Sequence, residues 1–202
     1  PSIARCVAKY YADEELPVRL CYTGNTYTNT LKLQGKLKEV TQIGAELVND
    51  DSSAADAEII ATVIDCFNEI GISDFQIEIG QIDYFKGLVA ESGISEDEED
   101  QIKEYIHIKN FFGLEEYVDA LDISDSLKKA FVAFDSLFGG ISMLDKAEGY
   151  VSNETSLEAV KRLRRVYAAL ECYGYQDHIS FDLGMLDGYN YYTGIIFRGY
   201  TY

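Results

Sequence analysis

Basic side chains are scarce. The 202 residues include 17 Lys and Arg against 35 Asp and Glu, for a formal net charge of −18 and a pI near 4.3. Nucleic-acid binding draws much of its affinity from Lys and Arg displacing counterions on phosphates, so this balance counts against such a ligand, a local basic patch aside. Long apolar runs are missing too. No stretch approaches the ~20 apolar residues needed to cross a bilayer, and Pro1-Ser2-Ile3-Ala4-Arg5 lacks the apolar block of a signal peptide. The expectation is a cytoplasmic protein with neither a membrane nor a nucleic-acid partner. Histidine occurs only at His107 and His178, and Cys6, Cys21, Cys66 and Cys172 form no Cys-x-x-Cys pair. No zinc-type cluster can be written, and each cysteine sits in an apolar pattern that predicts a reduced, mostly buried thiol. Neither Gly-x-x-x-x-Gly-Lys-Ser/Thr nor Gly-x-Gly-x-x-Gly occurs, which removes the common phosphate-binding loops, and there is no internal repeat. No metal and no cofactor is expected. Asp177, His178 and Ser180 are close in sequence, but neighbours in an extended segment point to opposite faces. His178 therefore reads as a surface histidine rather than part of a triad.

What is present is ordinary globular composition, 47% hydrophobic and 26% charged, enough for one domain over residues 1–202. Ser2 to Tyr11 reads as a helix, followed by β-rich runs at Val18 to Tyr27 and Leu37 to Val48, joined by a polar loop from Thr28 to Gly35. This pattern predicts a long antiparallel hairpin. In its second strand Ile43, Ala45 and Leu47 alternate with Gln42, Gly44 and Glu46, which predicts one packed face and one bearing polar chemistry. A helix beginning at Ser53 and stopping at Gly71 comes next, then a half-buried strand through Phe75, Ile77 and Ile79.

Residues 84–174 are helical in pattern and read as an insertion within the domain, with Ser95-x-x-Glu98 and Thr155-x-x-Glu158 both matching a capping box. The acidic run Glu96 to Asp100 fits a first helical turn, where carboxylates favour the dipole. Lys161, Arg162, Arg164 and Arg165 alternate with Val160, Leu163, Val166 and Leu170 and fit a polar helix face better than a nucleic-acid groove. Strands return at Ile179 to Leu183 and Ile195 to Tyr200. Between them Gly188-Tyr189-Asn190-Tyr191-Tyr192-Thr193-Gly194 sets three tyrosines between two glycines. That composition suits a ligand wall and an aromatic sheet edge equally.

Four segments in this order carry a resemblance. They are Pro1-Ser2-Ile3-Ala4-Arg5, the hairpin from Arg19 through Thr23-Gly24-Asn25 to Gln42-Ile43-Gly44-Ala45-Glu46, Asp56-Ala57-Glu58, and Asn190-Tyr191-Tyr192-Thr193-Gly194-Ile195-Ile196-Phe197. Together they resemble the catalytic core of the family that includes histidyl-tRNA synthetases and the regulatory subunits of ATP phosphoribosyltransferase. The match is strong over about residues 1–88 and 177–202 and weak across the helical middle. It implies an α+β fold of the class II synthetase type, a mixed and mainly antiparallel sheet backed by helices. By the same resemblance the chain is a truncated core, beginning inside a family motif and ending before motif 3.

The departures separate the two branches. Adenylate formation requires fixed cations around the α-phosphate. Where synthetases have Phe-Arg-x-Glu, this sequence has Tyr27-Thr28-Asn29-Thr30. Where they have Arg-Gly-Leu-Asp-Tyr-Tyr, it has Asp187-Gly188-Tyr189-Asn190-Tyr191-Tyr192. A unit charge about 4 Å away is worth about 4 kcal/mol at an effective dielectric of 20, so an anion at 187 opposes the reaction. Thr28 and Asp187 thus read as lost catalytic positions, leaving no catalytic residue. The amino-acid side is retained: Gln42, Glu46, Tyr191, Tyr192, Thr193 and Gly194 match histidine-binding positions, and Glu46 can accept an imidazole N–H while Gln42 orients the amino-acid backbone. The resemblance then implies a non-catalytic regulatory subunit of ATP phosphoribosyltransferase in histidine biosynthesis. Its implied partners are the short-form catalytic subunit and L-histidine as effector, with the full-length chain a homodimer within a hetero-oligomer. Two other readings remain open: a histidyl-tRNA synthetase core fragment, with Lys36 and Lys38 as the only nearby substitute cations, and a free-standing histidine-binding paralogue.

Overall fold

The structure, a computed structural model, describes residues 2–29, 37–186 and 192–201. Thr30, Lys36, Asp187 and Gly188 to Tyr191 lie outside the described residues. Two compact units are present, residues 1–55 and 56–202.

The first unit contains α1 (Ser2–Tyr10), β1 (Val18–Tyr27) and β2 (Glu39–Val48). The strands pair antiparallel from Val18 opposite Val48 to Tyr27 opposite Glu39. The hairpin stands where the alternation places it, although β2 begins at Glu39 rather than Leu37. Asn49 ends β2 at φ 68° and donates its side-chain N–H groups to the carbonyls of Glu14 and Glu15, at 3.2 and 3.0 Å. Asn tolerates that left-handed geometry better than most residues. One expectation fails here. Ile43 is 72% exposed and Ala45 is exposed, so the face predicted to be packed is open. β1 and β2 form a two-stranded sheet of their own, and such a ribbon has no second layer unless another element supplies one.

α2 (Ser53–Glu69) leads into the second unit and stops ahead of Gly71, whose φ of 82° is open to glycine at little cost. β3 (Phe75–Gln81), α3 (Ile82–Ser92), α4 (Glu96–His107), α5 (Phe111–Asp119), α6 (Asp125–Val132), β4 (Phe138–Gly139), α7 (Met143–Gly149), α8 (Glu154–Tyr173), β5 (Ile179–Asp182) and β6 (Ile195–Thr201) follow. The sheet order is β4-β5-β3-β6. β3 runs parallel to β5 and antiparallel to β6, and β4 is antiparallel to β5. The mixed, mainly antiparallel sheet backed by helices is therefore observed.

Alternation in β3 divides the sheet into two faces. Phe75, Ile77 and Ile79 are buried on one, with Ile179 and Phe181 of β5 beside them, while Gln76 and Glu78 are half-buried on the other. α3 and α8 continue the core, and Phe85 meets Phe131 and Phe134 edge to face at 5.9 and 5.8 Å. α3 and α8 cross closely: a Cβ at Gly87 would stand 2.8 Å from the Ser156 backbone nitrogen, and the Ser156 hydroxyl donates to the Tyr84 carbonyl at 2.8 Å. Only a glycine fits that crossing without displacement.

The capping box at Ser95 is present, with Glu98 accepting from the Ser95 backbone at 2.8 Å. The second expected box is not. α8 begins at Glu154, and Asn153 caps it by accepting from the Ser156 N–H at 2.7 Å, so Thr155 lies inside the helix. Asn and Thr are both good caps, and the neighbouring chain decided between them. The cysteines also depart from expectation: Cys21, Cys66 and Cys172 are exposed and Cys6 is half-buried. Their sequence neighbours are apolar, but Cys66 and Cys172 fall on the outward stripes of their helices. His178 is half-buried rather than a surface group, stacked on Phe75 with centroids 4.2 Å apart. The basic cluster on α8 forms ion pairs: Arg162 with Asp56 at 2.8 Å, Arg164 with Asp145 at 2.6 Å, and Arg165 with Glu158 at 2.5 Å.

Candidate functional site

In the first unit, residues directly opposite in the β1–β2 ladder share a face. Gln42, Gly44 and Glu46 accordingly lie on the same face as their partners Gly24, Tyr22 and Leu20. The Tyr22 ring lies over Gly44, where any Cβ would collide with it. Gln42 Nε2 donates to Tyr22 Oη at 3.0 Å. Gly44 thus opens the space that lets an aromatic ring and an amide meet between the two predicted histidine contacts. Tyr22 was not among the expected site residues. A glycine within a strand opposite an aromatic is the signal that could have found it.

The opposite face is a closed hydrogen-bond network. Glu39 Oε1 accepts from Asn25 Nδ2 at 2.6 Å and Tyr27 Oη at 2.8 Å, and Thr41 donates to Asn25 Oδ1 at 3.0 Å. These bonds hold the hairpin register, and the Gln42–Glu46 face lies opposite them. Thr28 extends the ladder, its N–H donating to the Lys38 carbonyl at 2.9 Å. A threonine hydroxyl there cannot replace a guanidinium as a phosphate clamp.

In the second unit, Tyr192, Thr193 and Gly194 enter β6. Gly194 has φ 89°, and its carbonyl accepts from the Ile82 N–H at 3.0 Å, fixing the segment to the β3–α3 junction. Gln81 at that junction is 2% exposed and caps α3, its Oε1 accepting from the Asp83 N–H at 3.0 Å. Lys86 Nζ donates to the Tyr192 carbonyl at 3.4 Å. Along β6 lies a cavity of about 320 Å³, lined by Met185, Tyr192, Ile195, Ile196, Phe197 and Arg198. Its volume lies at the lower end of small-molecule sites. Tyr191 and Asp187 lie outside the described residues.

The polar face of the second sheet carries charge at its centre. Glu78 stands across from Ser180 on β5 and Arg198 on β6. Burial, and then the Asp182 charge, hold its carboxyl above the usual carboxylate range; the Tyr200 hydroxyl, Lys109 and Arg198 oppose the shift. A carboxyl whose folded pKa exceeds its unfolded value costs stability above that window, and the cost disappears below about pH 4.5, where both states are protonated. Glu78→Gln should therefore raise the melting temperature at neutral pH and lose that advantage on acidification. Thermal unfolding at the two pH values checks this, and a lower melting temperature for the variant at neutral pH would show that the cations outweigh the burial.

The family model described as histidyl-tRNA synthetase matches residues 1–202. The chain belongs to this family. A regulatory subunit of ATP phosphoribosyltransferase from Acetivibrio thermocellus is 42% identical over 200 residues, 99% of this chain and 48% of that protein. One from Clostridium acetobutylicum is 37% identical over 202 residues, 99% of this chain and 50% of that protein. A crystal structure from Bacillus halodurans, described as an ATP phosphoribosyltransferase regulatory subunit/histidyl-tRNA synthetase, superposes with a TM-score of 0.90 at 33% identity, covering 99% of this chain and 52% of that one. The chain spans about half the length of the curated relatives it matches. The class II fold expected from the four motifs is the fold of this family.

Proposed function

We propose that the protein containing this chain is a non-catalytic regulatory subunit of ATP phosphoribosyltransferase that senses L-histidine and supports a short-form catalytic subunit in histidine biosynthesis. The observation carrying this reading is the contrast within one family core: the histidine-contact types Gln42, Glu46, Tyr191, Tyr192, Thr193 and Gly194 are kept, while Thr28 and Asp187 stand where adenylate chemistry needs arginines. The similarity to proteins named as regulatory subunits supports it. In this reading residues 1–202 are one core, and residues 84–174 are a helical insertion within it. Histidine can act as an effector only if it binds one assembly state better than another.

The test is turnover of ATP and phosphoribosyl pyrophosphate by a short catalytic subunit from the same genome, with and without the full-length protein and added histidine. Stimulation that histidine reverses is the expected result. Absence of stimulation, together with histidine-dependent exchange of pyrophosphate into ATP, would instead make the protein a synthetase.

A further inference from the structure

In the helical middle the two sides of α5 differ in kind. Leu114 and Val118 are fully buried, while Phe112, Glu115, Glu116 and Asp119 recur at the spacing of one helix face and are exposed. Ile108 and Phe112, on either side of the α4–α5 corner, are 54% and 71% exposed. The corner itself is tightly built. The Asn110 N–H donates to the Tyr105 carbonyl at 2.9 Å, the Asn110 side chain accepts from the Gly113 N–H at 3.1 Å, and a Cβ at Gly113 would press on both side chains. An aromatic held on a fixed helix loses little entropy when a partner covers it.

A cavity of about 350 Å³ adjoins this face, with Glu115 and Asp119 on one side and Lys129, Val132, Asp135 and Tyr150 on the other. Lys128, also in the lining, caps the end of α5 by donating to the Asp119 carbonyl at 2.7 Å. Three carboxylates therefore stand against two ammonium groups. Among the described residues no ion pair engages Glu115, Glu116, Asp119 or Asp135, in contrast to Asp56, Asp145 and Glu158, which hold the arginines of α8. Val132 and the Tyr150 ring offer an apolar wall along which the stem of a lysine or arginine can lie, its charged head among the carboxylates.

We infer that the outward face of α5 and the cavity beside it dock a protein surface that presents basic side chains next to an apolar residue, and that this surface belongs to the short-form catalytic subunit. The identity of the partner rests on the regulatory-subunit reading; its chemistry rests on the unpaired carboxylates and the exposed apolar pair at the corner. Ile108 and Phe112 supply an apolar centre, and the carboxylates supply a charged rim. The net charge of −18 steers a basic protein surface toward this rim and repels a nucleic acid.

Association of the full-length protein with the short catalytic subunit from the same genome, followed kinetically at low and physiological salt, tests the assignment. Glu115→Lys combined with Asp119→Lys should slow association about 10-fold or more and flatten its salt dependence, since rim charges act mainly on the association rate. Glu115→Gln with Asp119→Asn removes the charges without adding any, and should give a smaller loss in the same direction even if the reversal disturbs α5. Phe112→Ala should speed dissociation about 5- to 10-fold, with Phe112→Leu recovering part of the loss. Glu171→Lys, an exposed reversal near the C-terminal end of α8, should associate as the wild type does once physiological salt screens distant charge. Reversed or neutralised α5 carboxylates that leave association unchanged, or a Glu171→Lys loss as large as theirs, would overturn the docking surface and leave the regulatory reading in place. Wild-type protein that does not associate with the catalytic subunit would overturn both.

Discussion

Alanine at Glu46 should weaken histidine binding by the full-length protein about 10- to 100-fold, because a charge-assisted hydrogen bond to an imidazole N–H is worth about 1.5–3 kcal/mol. Glu46 suits such a measurement because its side chain is exposed on the β1–β2 ribbon and its cross-strand partner is Leu20, an apolar residue. Substitution at an exposed position of this kind changes stability by about 0.5 kcal/mol or less, so a loss of affinity reports on the ligand and not on the hairpin. Glu46→Gln keeps one acceptor oxygen and removes the charge, and should fall between the wild type and alanine. Glu39 is the natural control. It is a carboxylate on the same strand, but it faces the other way and is engaged by Asn25 and Tyr27. Glu39→Gln should leave histidine affinity near the wild-type value. Calorimetry on the three variants decides the matter, and unchanged binding by Glu46→Ala would remove this residue from the site.

Truncating Phe85 to alanine should destabilise the protein by about 3–5 kcal/mol, the usual cost of emptying a buried aromatic position. Phe85 on α3 has no exposed surface and makes edge-to-face contacts with Phe131 of α6 and with Phe134 just beyond it, so the packing of these segments loses two ring contacts at once. Against a total of about 5–15 kcal/mol for a typical domain, that loss is enough to populate unfolded chains near body temperature. Phe85→Leu keeps most of the volume and should cost much less. Denaturant unfolding would measure both, and a loss below about 1 kcal/mol for alanine would mean that the cluster collapses around the vacancy.

Several features were legible from short-range pattern. The alternation within β2 and β3, the helix ending before Gly71 and the capping box at Ser95 each depend on residues within a few positions of one another. Local geometry leaves few alternatives for them. The two faces of β2 were likewise separable, since a period of two places Gln42 and Glu46 together whatever lies elsewhere. The family motifs identified the candidate ligand residues for the same reason: contiguous segments keep their residue types in order.

Burial was less legible. Ile43, Cys66 and Cys172 all sit in apolar text and are all exposed, because burial depends on whether another layer covers that face. The choice of Asn153 over Thr155 as the cap of α8 followed from the α3–α8 crossing, where Asn153 also donates to Glu91 at 2.9 Å. Arg198 looked like a single base in an apolar terminal strand. Only the pairing of β6 with β3 brings it across from Glu78 and along the same cavity as Tyr192.

By itself the sequence determined the hairpin, the helix after it, β3, a helical middle and the returning strands, and the family core, since these are properties of adjacent residues and of residue type. Tertiary structure alone decided that Tyr22 folds over Gly44 to meet Gln42 and that Glu78 is held among Asp182, Arg198 and Lys109. Each of these joins residues 20 or more positions apart, and only strand register and layer packing bring such groups within reach of one another.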